Sequence, residues 1–130
     1  MIDEEKRKRL WELMSTAEGK DSSKFRLDSC GALMEWDRYG DRQSDFGWEV
    51  DHVVPKSLLT EKGATEDEID DDDNLRPMHW KNNDTKSADY PEYQAKVSYE
   101  NGRNIEQDGV YEVNKSLQDI LHNKYSKYGI

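Results

Sequence analysis

One cysteine, three prolines and two phenylalanines are all that this 130-residue chain carries of those types, and no stretch of it is apolar for long. Each scarcity excludes something. Cys30 has no second thiol to pair with, so neither an internal disulfide framework nor a C-x-x-C zinc site can be built. No segment approaches the ~18 consecutive apolar residues that span a bilayer. The opening MIDEEKRKRL is charged where a secretory signal needs an apolar centre. The expectation is a soluble, cytoplasmic protein with no membrane partner.

What is present points to a folded chain. Charged residues make up 37% and hydrophobic residues only 33%, yet four Trp and seven Tyr supply large apolar area per residue, which argues against disorder. The length suits a single domain, 1–130, with one modest core. The net charge of −10 speaks against nucleic acid until its distribution is considered. Seven of the eight residues from Glu66 to Asp73 are acidic, so much of the excess is local. Such a run reads as a solvated loop; a calcium loop would need a Gly at its sixth position and a Glu at its twelfth, and neither is there.

Periodicity outlines the elements. Leu10, Trp11, Leu13, Met14 and Ala17 recur at helical spacing and predict an amphipathic helix over 3–18, ended by Gly19. Residues 25–36 suit a hairpin turning near Gly31. Residues 38–45 read as a loop. Strands are expected over 48–54, stopped by Pro55, and over 74–78, followed by a short helix over 79–88. Ala95, Val97 and Tyr99 alternate with polar residues before the turn signal Asn101-Gly102. A last amphipathic helix carries Leu117, Ile120, Leu121 and Tyr125 behind an Asn114 cap.

The chemistry concentrates between Gly47 and Asp89, which hold two of the three histidines and the asparagines Asn74, Asn82 and Asn83. Asp51-His52 places a hard oxygen ligand beside a residue that exchanges a proton near neutral pH. Asn82 and Asn83 add amide oxygens from the expected helix. A carboxylate and an amide oxygen, completed by water and phosphate oxygens, suit Mg²⁺ or a similar hard cation only partly bound by protein.

These residues resemble the HNH nucleases. The match lies in Val50-Asp51-His52-Val53-Val54-Pro55, in Asn74-Leu75, and in Asn83-Asp84-Thr85-Lys86-Ser87, within a core motif over 46–90. An asparagine in third place makes it similar to the HNN variant. The resemblance implies an α+β fold with a small ββα-metal (HNH, or His-Me finger) core, flanked here by helices near both ends and an extra hairpin. It further implies a metal-dependent endonuclease acting on DNA phosphodiesters. His52 would be the general base, Asp51 and Asn83 the protein ligands of one divalent metal (Mg²⁺ first, Mn²⁺ or Ni²⁺ as alternatives), and Asn74 the brace of the loop after His52. Lys86 and, with less support, Arg76 would contact the DNA backbone.

Two departures qualify the match. Where many relatives carry a second C-x-x-C pair this chain has His79 and Asn82, so no structural zinc is expected, and Trp36, Trp48 and Trp80 are expected to brace the fold instead. The acidic run lies inside the motif and opposes DNA approach. His79 could neighbour the site, though packing or helix capping is the favoured reading. Two other classes stay open: a non-catalytic HNH-like module binding nucleic acid or protein, and an acidic DNA mimic. The charge also raises the expectation that a protein partner or a homodimer supplies DNA affinity.

Overall fold

The computed structural model describes residues 2–130. Among these, five helices and three small antiparallel sheets form a mixed α+β structure. Helix α1 (Glu4–Trp11) begins at Asp3, whose carboxylate accepts the Lys6 amide, and its Glu4, Glu5 and Lys8, Arg9 suit the two ends of the helix dipole. It is shorter than the apolar spacing predicts. The amides of Leu13 and Met14 bond three residues back, to Leu10 and Trp11, and the chain leaves the helix to form strand β1 (Ser15–Thr16). The Arg26 guanidinium occupies the carbonyls of Glu12 and Met14, which removes the need for a further turn. Leu13 is left 60% exposed.

Strand β1 pairs with β2 (Phe25–Leu27), which pairs with β3 (Leu33–Glu35) through a turn at Gly31, whose φ is 86°. Trp11, Trp36 and Trp48 pack with ring centroids 5.1 to 5.6 Å apart. Trp11 thus takes the bracing place expected of Trp80. Trp80 instead stacks on His79 and faces the cations of Arg42 and Lys81.

Strand β4 (Trp48–His52) ends two residues earlier than predicted, because the amides of Val53 and Val54 turn to Asn74. Two short helices follow, α2 (Lys56–Glu61) and α3 (Glu66–Ile69), before strand β5 (Leu75–His79) and helix α4 (Trp80–Lys86). β4 and β5 are antiparallel, with Trp48 opposite His79 and His52 opposite Leu75. α4 ends where Ser87 takes a φ of 51°. The hairpin β6 (Glu92–Glu100) and β7 (Arg103–Glu112) turns at Asn101-Gly102, both at positive φ. Helix α5 (Lys115–Lys124), capped by Asn114, closes the chain. Its Leu117 and Leu121, with Tyr125, join Val53, Val54, Leu59 and Ile69 in the main core. That core lies beneath the segment joining β4 to β5. No helix among the described residues is long and apolar enough to cross a membrane.

The acidic run is not a solvated loop. It forms α3 and a following 3-10 turn (Asp72–Asn74), with a capping box between Thr65 and Glu68. Lys6 and Arg9 pair with Asp72, Lys124 with Asp71 and Asp73, and Lys127 with Glu68. The Tyr128 hydroxyl also donates to Glu68. Each exposed pair contributes little by itself, but together they fasten the run to α1, α5 and the residues after α5.

An acid-stability prediction follows from Glu68. The Thr65 amide, Tyr128 and Lys127 hold its carboxyl down at about 2 from an ordinary 4.5. A depressed folded pKa contributes stability that is present above the unfolded value and lost as pH falls through the folded one. The stability gap between wild type and Glu68→Gln, measured by urea denaturation, should therefore be full near neutrality and close as pH drops from 4.5 towards 2. A gap that stays constant over that window would refute the assignment.

Candidate active site

Asn74 organises the segment after β4. It is fully buried; its Oδ1 accepts the Val54 amide at 2.7 Å, and its Nδ2 donates to the carbonyls of Val54 and Ile69, both at 3.1 Å. Its own carbonyl accepts the Val53 amide at 2.8 Å. Regular strand geometry would send Asp51 and His52 to opposite faces. The bonds to Asn74 hold the chain where it leaves that geometry, directly after His52.

His52 is 22% exposed, and its Nε2 lies 2.7 Å from Oδ1 of Asp70, the residue that ends α3. Partial burial alone would raise the Asp70 carboxyl, but the hydrogen bond and charge of His52 bring it below its ordinary value. Asp51, the preceding strand residue, is 5% exposed. Burial pushes its carboxyl up to about 6, against the pull of the Lys86 ammonium 3.3 Å away.

Lys86 corrects an expectation. It does not reach outward towards DNA: it is 1% exposed, and besides Asp51 it donates to the carbonyls of Val53 and His52. A carboxylate as buried as Asp51 needs a partner charge, and Lys86 is within reach on α4. Arg76 also turns to protein. It is half-buried opposite Asp51 and donates to the carbonyls of Asp72 and Leu75.

On the same helix, Asn83 donates from Nδ2 to Glu49 at 3.0 Å. Glu49 and Asp51 are two residues apart on β4 and share a face; Asn83 and Lys86 are three apart on α4 and meet them. Arg42 bonds Glu49 and Asp84 together, all four contacts at 2.8 or 2.9 Å. With Nδ2 committed to Glu49, Oδ1 is the Asn83 side-chain atom left to accept a hydrogen bond or meet a cation. Asp51, His52 and Asn83 all line one shallow cavity of about 260 Å³, rimmed by Pro55, Lys56 and Ser87.

Among the described residues no three His, Cys, Asp or Glu side chains converge as a metal cage. The oxygen groups that line the cavity, the Asp51 carboxylate, the Asn83 amide and the hydroxyls of Ser57 and Ser87, suit a hard cation that keeps most of its water. No family model, curated protein or solved structure matches this chain.

His79 is outside the cavity. It is buried, its Nδ1 caps α4 by accepting the Lys81 amide, and its Nε2 bonds the Asp45 carbonyl at 2.7 Å. Burial lowers its pKa and favours the neutral ring. Its backbone amide and the Asn82 Nδ2 both donate to Asp28, a buried carboxylate that also accepts the amides of Cys30 and Ala32. Asn82 in turn accepts the amides of Lys96 and Val97 and donates to the Val97 carbonyl. One hub therefore joins the β2–β3 turn, the start of α4 and β6. Sequence reading missed Asp70, Glu49, Arg42 and Asp28. Only Glu49 left a signal, its two-residue spacing from Asp51.

Proposed function

We propose that the chain is a metal-dependent endonuclease with an HNH-like ββα core formed by β4, β5 and α4. The observation that carries this reading is that Asp51, His52 and Asn83 all line one open cavity, behind a segment fastened by Asn74. Asp51 and Asn83 would hold one divalent cation, Mg²⁺ before Mn²⁺ or Ni²⁺. When bound, such an ion polarises the phosphoryl group and stabilises the leaving oxygen. His52 takes the proton of the attacking water. Asn74 keeps the imidazole at its post. Lys86 carries the Asp51 charge while no cation does, so a cation competes with a built-in ammonium and binds most weakly where Asp51 is protonated, below a pH of about 6. The pinned acidic run, with five of its carboxylates paired to cations or to His52, opposes DNA less than its sequence suggests.

The test is plasmid nicking with Mg²⁺, Mn²⁺ or Ni²⁺, with and without EDTA. Wild type should cut only with metal. Asn83→Ala should lose activity by about 10- to 100-fold, with partial recovery at raised metal concentration. No cutting with any of the three ions would overturn the proposal and favour a binding module.

A further inference from the structure

We infer that Asp70 is the positioning residue of His52, fixing the tautomer that leaves Nδ1 free to take the water proton; this rests on the nuclease reading. The 2.7 Å contact joins Nε2 to Oδ1. An ionised carboxylate only accepts hydrogen bonds, so Nε2 carries the hydrogen and the Nδ1 lone pair is the one available for chemistry. Among the described residues nothing hydrogen-bonds to Nδ1.

Asp70 is held to this place by the same group that holds His52. Asn74 Nδ2 bonds the carbonyl of Val54, two residues after the base, and that of Ile69, the residue before Asp70. The Asp70 amide bonds Glu66, and its carbonyl accepts the Lys6 ammonium. Ile69 is buried in the main core. One buried amide therefore fixes the separation between base and orienting carboxylate. When His52 takes a proton, the adjoining negative charge stabilises the imidazolium that forms.

The test reads the ring directly. Long-range ¹H–¹⁵N spectra of His52 at about pH 8, above the ordinary histidine range, are recorded for wild type, Asp70→Ala and Asp70→Glu, beside nicking kinetics with Mg²⁺. Wild type should show the Nε2-protonated pattern. Asp70→Ala should shift the ring to the averaged pattern of two exchanging tautomers and lower kcat by about tenfold or more, with KM within about twofold. Asp70→Glu should restore part of both. If Asp70→Ala fails to fold, Asp70→Asn replaces it and should show the same loss of kcat. An unchanged ring pattern in the Ala variant overturns the inference, and so does an unchanged or increased kcat, which would make Asp70 an obstruction. If wild type cuts no DNA the nuclease reading fails alone, and the ring spectra still decide the role of Asp70.

Discussion

His52→Ala should lower metal-dependent plasmid nicking by about 10²- to 10⁴-fold, the range that a positioned general base contributes. The fold should survive the change. The side chain is 22% exposed and makes one hydrogen bond, to Asp70, while the segment around it is held by bonds from the Val53 and Val54 amides to Asn74 that the substitution leaves intact. Circular dichroism and the thermal midpoint should stay near wild type while the rate collapses. A variant that cuts as fast as wild type would remove His52 from the mechanism. One that unfolds would show that its contact with Asp70 is structural.

The largest loss of stability is expected from Asp28→Ala, at about 3–5 kcal/mol, by analogy with removal of one partner from a buried charge network. The carboxylate is 3% exposed and accepts four hydrogen bonds, from Cys30, Ala32, His79 and Asn82. Truncation leaves four donors facing a void, each costing about 1–3 kcal/mol if unpaired. Part of this is recovered because burial, the dominant influence on Asp28, already raises its carboxyl above the ordinary range. Against a typical total of about 5–15 kcal/mol, the urea midpoint should fall steeply. A loss under about 1 kcal/mol would mean that water takes over the site.

Much of the order of strands and helices was legible because alternation, Pro55 and Asn101-Gly102 are local signals, but α2, α3 and β1 lie where a loop or a longer helix was expected. Expected α+β character, the β2–β3 hairpin and the Asn114-capped α5 are all present in the structure. α1 was overestimated because Leu13 and Met14 kept helical spacing while Arg26, twelve residues beyond Met14, supplied partners for the carbonyls that a longer helix would have used. The acidic run misled for the same kind of reason. Its neutralising cations come from both flanks of the sequence, 63 residues away in the case of Arg9 and Asp72, and composition cannot report such pairs. Lys86 read as an outward cation because lysine usually is one; its burial depends on Asp51, 35 positions earlier. Asp51, His52, Asn74 and Asn83 were singled out through the resemblance of their motifs to the HNH nucleases; Asp70 was not, since nothing distinguishes it in sequence from its acidic neighbours.

The Asp28 hub also bears on the order in which the molecule assembles. Its bonds to His79 and Asn82 span 51 and 54 residues, and Asn82 then reaches 15 further to Val97. Contacts so distant along the chain repay their loop-closure entropy only when most of the polypeptide is already in place. The start of α4, and with it Asn83, is therefore expected to be fixed late in folding rather than by the β4–β5 hairpin alone. A peptide of residues 46–90 would carry every motif residue and still lack the anchor that sets their distances.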